Sequence, residues 1–133
     1  MPRDNGPHPV RRVGSGVVPT FDYYPPPGDP VVIHEDPAFV VVDKPAGLLA
    51  VPGIADGKQD CVRSRVAAMF PDATGPMTCH RLDLSTSGVM ILARDARTHR
   101  SLSKQFEFRK TRKRYVALVE GHLGRDEGEI TAP

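Results

Sequence analysis

The stretch best suited to chemistry is residues 80–88, His80-Arg81-Leu82-Asp83-Leu84-Ser85-Thr86-Ser87-Gly88, in which a carboxylate follows a guanidinium two positions later. Side chains alternate along an extended backbone, so if Leu82 points into the core, Arg81 and Asp83 point together to the opposite face. The turn that follows has short hydroxyls that can bond the local backbone, and its glycine can adopt positive φ. This pattern predicts a carboxylate held on a short segment beside an arginine. The same spacing is also typical of a surface ion pair worth about 0–1 kcal/mol.

Strands are predicted on both sides of this stretch. Residues 31–34 and 39–42 are rich in β-branched side chains, which favour strands. Residues 89–93 are apolar throughout, so we expect a central strand covered on both faces. A further strand is predicted for residues 115–120, and residues 129–131 have the composition of another.

Two helices are predicted. In residues 60–70, Val62, Val66 and Met69 follow helical spacing. Asp95 is a suitable N-cap for a second helix over residues 96–109, with Leu102 and Phe106 as its inner stripe. Its outer face carries three basic residues at helical spacing, Arg97, Arg100 and Lys104.

The chain has 133 residues, 39% hydrophobic and 26% charged, which suits one modest globular domain. Eight of its 14 prolines lie in residues 1–30, which we expect to be flexible, leaving residues 31–133 as the domain. Neither an apolar run long enough to cross a membrane nor a secretory leader is visible, so we expect a cytoplasmic protein. Cys61 and Cys79 lack Cys-x-x-Cys spacing, which favours reduced thiols over a disulfide or a metal site.

Charge is concentrated near the second predicted helix. Residues 94–114 carry nine basic and two acidic side chains, although the net charge of the whole chain is only +2. Such a patch is consistent with a polyanion such as RNA and equally with a solvated helix face. Lys44, at the end of a predicted strand, is consistent with a phosphate contact or with a surface charge.

Residues 80–88 resemble the catalytic motif of the RluA-type pseudouridine synthases, His-Arg-Leu-Asp-x-x-Thr-Ser-Gly. Two further stretches, residues 40–53 and 105–121, are similar to the same family in the same order. The resemblance extends from about residue 31 to residue 121. All seven specified positions of the motif match, namely His80, Arg81, Leu82, Asp83, Thr86, Ser87 and Gly88.

The resemblance implies an α+β catalytic domain with a mixed, mainly antiparallel sheet flanked by helices. It implies an isomerase that converts uridine to pseudouridine in ribosomal or transfer RNA, acts as a monomer and needs no metal or organic cofactor. Asp83 would be the catalytic residue, attacking the ribose C1′ or the base C6 or driving a glycal route. Arg81 would fill the gap left by the target base or contact a phosphate. Tyr115 would stack on the uracil, and its alternative is a core tyrosine.

Two other interpretations remain open. The family's downstream Gly-Arg-x-His-Gln-x-Arg-type motif is absent, so we expect the N-terminal part of a catalytic domain, which is also compatible with an RNA-binding fragment that lacks activity. A carboxylate-dependent glycosidase would need a second acid opposite Asp83, and the motif offers none nearby.

Overall fold

The computed structural model describes residues 10–13, 16–19 and 21–132. Strands β1 (Val10–Val13) and β2 (Gly16–Pro19) form an antiparallel hairpin. Strands β3 (Val31–Glu35), β4 (Phe39–Lys44) and β5 (Gly88–Ala93) form an antiparallel sheet in that order. Helix α1 (Val62–Met69) lies between β4 and β5 in the chain, and α2 (Ala96–Glu107) follows β5. The predicted α+β class with a mainly antiparallel sheet is confirmed.

The two faces of this sheet differ because side chains alternate along β4 and β5. On one face, Val40, Val42, Met90 and Leu92 are completely buried and pack against α1 and the loops beside it. On the other face, the side chains are more exposed and border a cleft described below. The rest of the buried cluster comprises Leu48, Ala50, Val62, Val66, Phe70 and Met77.

Among the described residues, strand β5 lies at the end of the three-stranded sheet, with an isolated bridge from Leu92 to Thr78 on its other side, so the expectation that it is central was wrong. The middle of the sheet is β4, which pairs with β3 on one side and with β5 on the other. Val89 is 61% exposed, so β5 is not covered on both faces. An apolar run indicates burial only where a second layer packs on it, and here one face of β5 borders the cleft.

Helix α2 begins where its predicted cap places it, whereas α1 begins at Val62 and not at residue 60 as predicted. The Asp95 carboxylate accepts the backbone N–H of Thr98 at 2.7 Å and caps α2, as expected. The Cys61 thiol caps α1 by accepting the N–H of Ser64. Cys61 and Cys79 are free thiols. Among the described residues, no helix is long and apolar enough to cross a bilayer.

Residues 115–120 do not form the predicted strand, and neither do residues 129–131. Val116 and Leu118 are 97% and 104% exposed relative to a reference residue. A β-branched or aromatic composition favours a strand only where a neighbouring strand supplies hydrogen bonds and packing. Within the part of the chain that the structure describes, no such strand lies beside this segment.

Part of the proline-rich segment is attached to the domain. The Tyr23 hydroxyl donates to the carbonyl of Asp60 at 2.6 Å and accepts the N–H of Leu49 at 3.0 Å. Arg65 donates to the carbonyl of Gly28 at 2.7 Å. These contacts fix residues 21–30 beside the start of α1. The flexibility expected for residues 1–9, 14, 15 and 20 lies outside the described residues, and the domain boundary at residue 30 stays a prediction.

Candidate active site

Residues 80–87 form a loop, called the motif loop below, that leads into β5. Leu82 packs against the core, whereas Arg81 and Asp83 are exposed, so burial alternates as predicted. Arg81 lines the cleft described below and Asp83 does not, so a common direction for these two side chains stays a prediction. The N–H of Thr86 donates to the carbonyl of Asp83 at 3.1 Å and closes a turn. Gly88 ends the loop with φ of 139°, a conformation that side chains with a Cβ rarely adopt. The ion pairs of the described residues do not join Arg81 to Asp83, so the geometry does not favour the ion-pair interpretation.

His80 anchors the first end of the motif loop to β5 and α2. The N–H of Ile91 donates to His80 Nε2 at 3.0 Å, so this nitrogen carries no proton and the ring is neutral. The His80 ring stacks on Phe106 of α2, with centroids 4.3 Å apart and planes 13° from parallel. Burial lowers the pKa of His80 from its ordinary 6.5, and the Lys113 ammonium lowers it further.

Lys44 anchors the motif loop on the other side of Asp83, at Leu84. Its side chain is completely buried, and its Nζ donates to the carbonyls of Pro45 at 3.1 Å, Leu48 at 2.6 Å and Leu84 at 3.1 Å. The N–H of Gly47 donates to the same Leu84 carbonyl at 2.8 Å. Burial lowers the pKa of Lys44 from its ordinary 10.5, and the Asp83 carboxylate opposes this effect.

The phosphate contact and the surface charge considered for Lys44 are therefore both wrong. The sequence contains a signal that was available, because Lys44 falls in register with Val40 and Val42 on the inward face of β4. A lysine at that register must find acceptors inside the protein, since buried amines are rarely left unpaired.

A cleft of about 860 Å³ lies beside the motif loop. Its floor is apolar and includes Val41, Val89 and Ile91 from the open face of the sheet, with Phe106 from α2. Residues 111–116 form another part of the lining. A pocket with an apolar floor and polar rim is typical of a ligand site.

The structure brings some of the predicted site residues to this cleft and not others. Seven of them line it, namely His80, Arg81, Leu82, Thr86, Ser87, Gly88 and Tyr115. Asp83 is exposed on the same loop but is not among the lining residues. Tyr115 is 63% exposed, so the core-tyrosine interpretation was wrong. The three outer-face cations of α2, Arg97, Arg100 and Lys104, are exposed and lie outside the lining.

Sequence reasoning included residues 112–114 in the basic patch but did not name them as site residues. Arg112, Lys113 and Arg114 line it, and they immediately precede Tyr115. Their adjacency to a predicted site residue was the available signal. Among the described side chains, no group of three or more His, Cys, Asp or Glu is arranged to hold a metal ion.

Comparisons with known proteins identify the same family that the motif resembles. Residues 38–133 match a family model described as RNA pseudouridylate synthase. A Vibrio parahaemolyticus protein named dual-specificity RNA pseudouridine synthase RluA is 46% identical over 112 residues, covering 83% of this chain and 44% of that protein. The protein of the same name from Escherichia coli K12 is 40% identical over 115 residues, covering 85% and 51%.

The chain thus spans about half the length of these curated relatives. A solved human structure, RNA pseudouridylate synthase domain containing 4, is 29% identical with a TM-score of 0.47, covering 60% of this chain and 30% of that chain.

Proposed function

The chain belongs to the RNA pseudouridylate synthase family, and we propose that it carries the catalytic loop of an enzyme that isomerises uridine to pseudouridine in RNA, with Asp83 as the catalytic carboxylate. The observation that supports this most directly is the double anchoring of the motif loop. His80 and Lys44 hold the backbone on either side of Asp83, so its carboxylate is presented from a fixed segment. Preorganised reacting groups are what such chemistry requires.

The proposed reaction needs no group beyond the RNA, the protein and solvent protons. The N-glycosidic bond to N1 of uracil breaks, the base turns, and its C5 bonds to the same ribose carbon. C5 releases its proton and N1 takes one up, so the product is an isomer of the substrate. A carboxylate can act as a nucleophile without a separate base. Attack at C1′, attack at C6 and a glycal route are all compatible with this position of Asp83.

The proposed substrate contacts follow from the shape of the cleft. A target base must leave its stack to react, and the apolar floor together with the exposed ring of Tyr115 suits an unstacked base. Arg81 lines the same cleft and is proposed to fill the gap in the RNA or to contact a phosphate. The exposed cations Arg97, Arg100 and Lys104 are proposed to attract the RNA from a distance. We propose ribosomal or transfer RNA as the substrate of a cytoplasmic monomer.

An RNA-binding fragment without turnover is the second candidate function. It is favoured by the position of Asp83 outside the cleft lining and by the unpaired residues 115–120. A glycosidase is not favoured, because residues 80–88 offer no second acid opposite Asp83.

The test is Asp83→Asn, assayed by tritium release from RNA that contains C5-tritiated uridine. We expect turnover to fall to background while RNA binding persists, because the substitution keeps the shape but removes the charge and most of the nucleophilicity. Asp43→Asn is the matched control, since Asp43 is an exposed acid on β4 outside the cleft lining.

Substantial turnover by a folded Asp83→Asn protein, with deamidation excluded, would refute the role of Asp83. If the parent chain binds the RNA but releases no tritium, the second candidate function is the correct one.

A further inference from the structure

The charged side chains that line the cleft beside the motif loop are all of one sign. Four basic side chains line it and no acidic one does. Arg81 comes from the motif loop, and Arg112, Lys113 and Arg114, called the basic wall below, line the same cleft. Like charges around one concave surface repel each other and concentrate anions there.

These four charges are available to a ligand. The ion pairs of the described residues use other basic side chains, namely His34, Arg65 and Arg94. Arg81 and all three members of the basic wall are exposed residues.

The basic wall also lies close to the reacting segment. The Lys113 ammonium is 5.8 Å from the centre of the Phe106 ring, and that ring stacks on His80 of the motif loop. The charge of Lys113 contributes to the lowered pKa of His80, so the potential of the wall reaches the motif. By contrast, the basic residues on the outer face of α2 do not line the cleft.

We propose that the basic wall binds the phosphates next to the uridine that is to be modified. This inference rests on the proposed function, because it takes RNA as the ligand. An unstacked nucleotide must be held by its backbone while its base occupies the cleft, and the wall offers three adjacent cations at the cleft rim. The outer-face cations of α2 then supply long-range attraction and few direct contacts.

Two triple variants with the same change in charge separate these roles. The wall variant is Arg112→Gln, Lys113→Gln and Arg114→Gln, and the matched α2 variant is Arg97→Gln, Arg100→Gln and Lys104→Gln. Binding of a single-stranded RNA with one uridine is measured by fluorescence anisotropy across a salt series. Each lost phosphate contact lowers the log–log salt slope by about 0.7, so we expect the wall variant to lose about 2 and the α2 variant less than half of that.

A second arm locates the contact on the RNA. The phosphates on both sides of the uridine are replaced by neutral methylphosphonates, and each variant is measured with both RNAs. The losses from the wall variant and from the methylphosphonates should be strongly non-additive, because both remove the same contacts. The losses from the α2 variant and from the methylphosphonates should add. Arg112→Lys with Arg114→Lys keeps the charge and should retain the parent salt slope.

Additive losses for the wall variant would overturn the inference. So would a larger loss of slope for the α2 variant, and in that case the proposed function would stand. Failure of the parent chain to bind RNA at low salt would overturn both this inference and the proposed function.

Discussion

Lys44→Met tests whether a buried ammonium joins the motif loop to the loop after β4. Methionine has a similar length and an adaptable apolar stem, so the packing of the stem is largely retained. The substitution removes the donor to three carbonyls. The Leu84 carbonyl keeps the N–H of Gly47, and Pro45 is only half-buried, so its carbonyl can meet water. The completely buried Leu48 loses the partner that lies 2.6 Å from its carbonyl.

The expected loss of stability follows from the Leu48 carbonyl. A buried backbone acceptor left without a donor costs about 1–3 kcal/mol, so we expect the free energy of unfolding to fall by that amount. Lys44→Ala should cost about 2 kcal/mol more than Lys44→Met, since the methylene, sulfur and methyl group that methionine retains beyond Cβ also leave the core. The measurement is urea unfolding followed by circular dichroism. Lys110→Met is the control, because an exposed lysine should change stability by no more than about 0.5 kcal/mol.

The pH dependence gives a second readout. Burial lowers the pKa of Lys44, so below 10.5 the unfolded chain binds more protons at this residue than the folded chain. Stability contributed by Lys44 therefore rises as pH increases toward 10.5, and it is lost as pH falls through the lowered folded-state pKa. The Met variant should lack this rise relative to the parent. Equal stability and an unchanged pH dependence in Lys44→Met would refute the burial of this ammonium.

Tyr115→Ala should weaken RNA binding by about 1–3 kcal/mol, the range of base stacking, whereas Tyr115→Phe should not. Because Tyr115 is 63% exposed, both variants should unfold within about 0.5 kcal/mol of the parent, and a badly destabilised Ala variant would contradict the exposed position. The pKa of His80 is lowered in the folded protein. The stability contributed by its neutral ring is therefore complete above pH 6.5 and is lost as the pH falls through the folded-state pKa. His80→Gln keeps an acceptor for the N–H of Ile91 but does not titrate, so melts in mildly acidic buffer should fall less steeply with pH; an identical fall would refute this role.

Local patterns predicted much of the fold. The β-branched runs of β3 and β4, the helical spacing of Val62 and Val66, and the cap at Asp95 all depend on neighbours a few residues away. Interactions of that range can be derived from spacing. The alternation around Leu82 also depends on adjacent residues, and it correctly distinguished the Leu82 side chain, which packs on the core, from the exposed side chains on either side.

The wrong predictions concern which parts of the chain cover each face of a strand. Spacing predicts which side chains of β5 share a face, but it does not reveal that one face borders a cleft. It likewise does not reveal whether residues 115–120 have a neighbouring strand. The register of β4 indicates that Lys44 points inward, but it does not identify the acceptors, one of which is Leu84, 40 residues further along the chain. Such long-range partners are determined by tertiary packing and cannot be derived from the spacing of neighbouring residues.

The shared acceptor at Leu84 also affects the entropy of substrate binding. Fixing the backbone of one residue costs about 1–2 kcal/mol of conformational entropy at room temperature. Because Lys44 and Gly47 both donate to this carbonyl, the residues next to Asp83 become immobile when the chain folds, before a ligand arrives. Association then does not have to order them, and that penalty is absent from the binding free energy. The remaining entropic cost falls on the RNA and on the side chains that close around it.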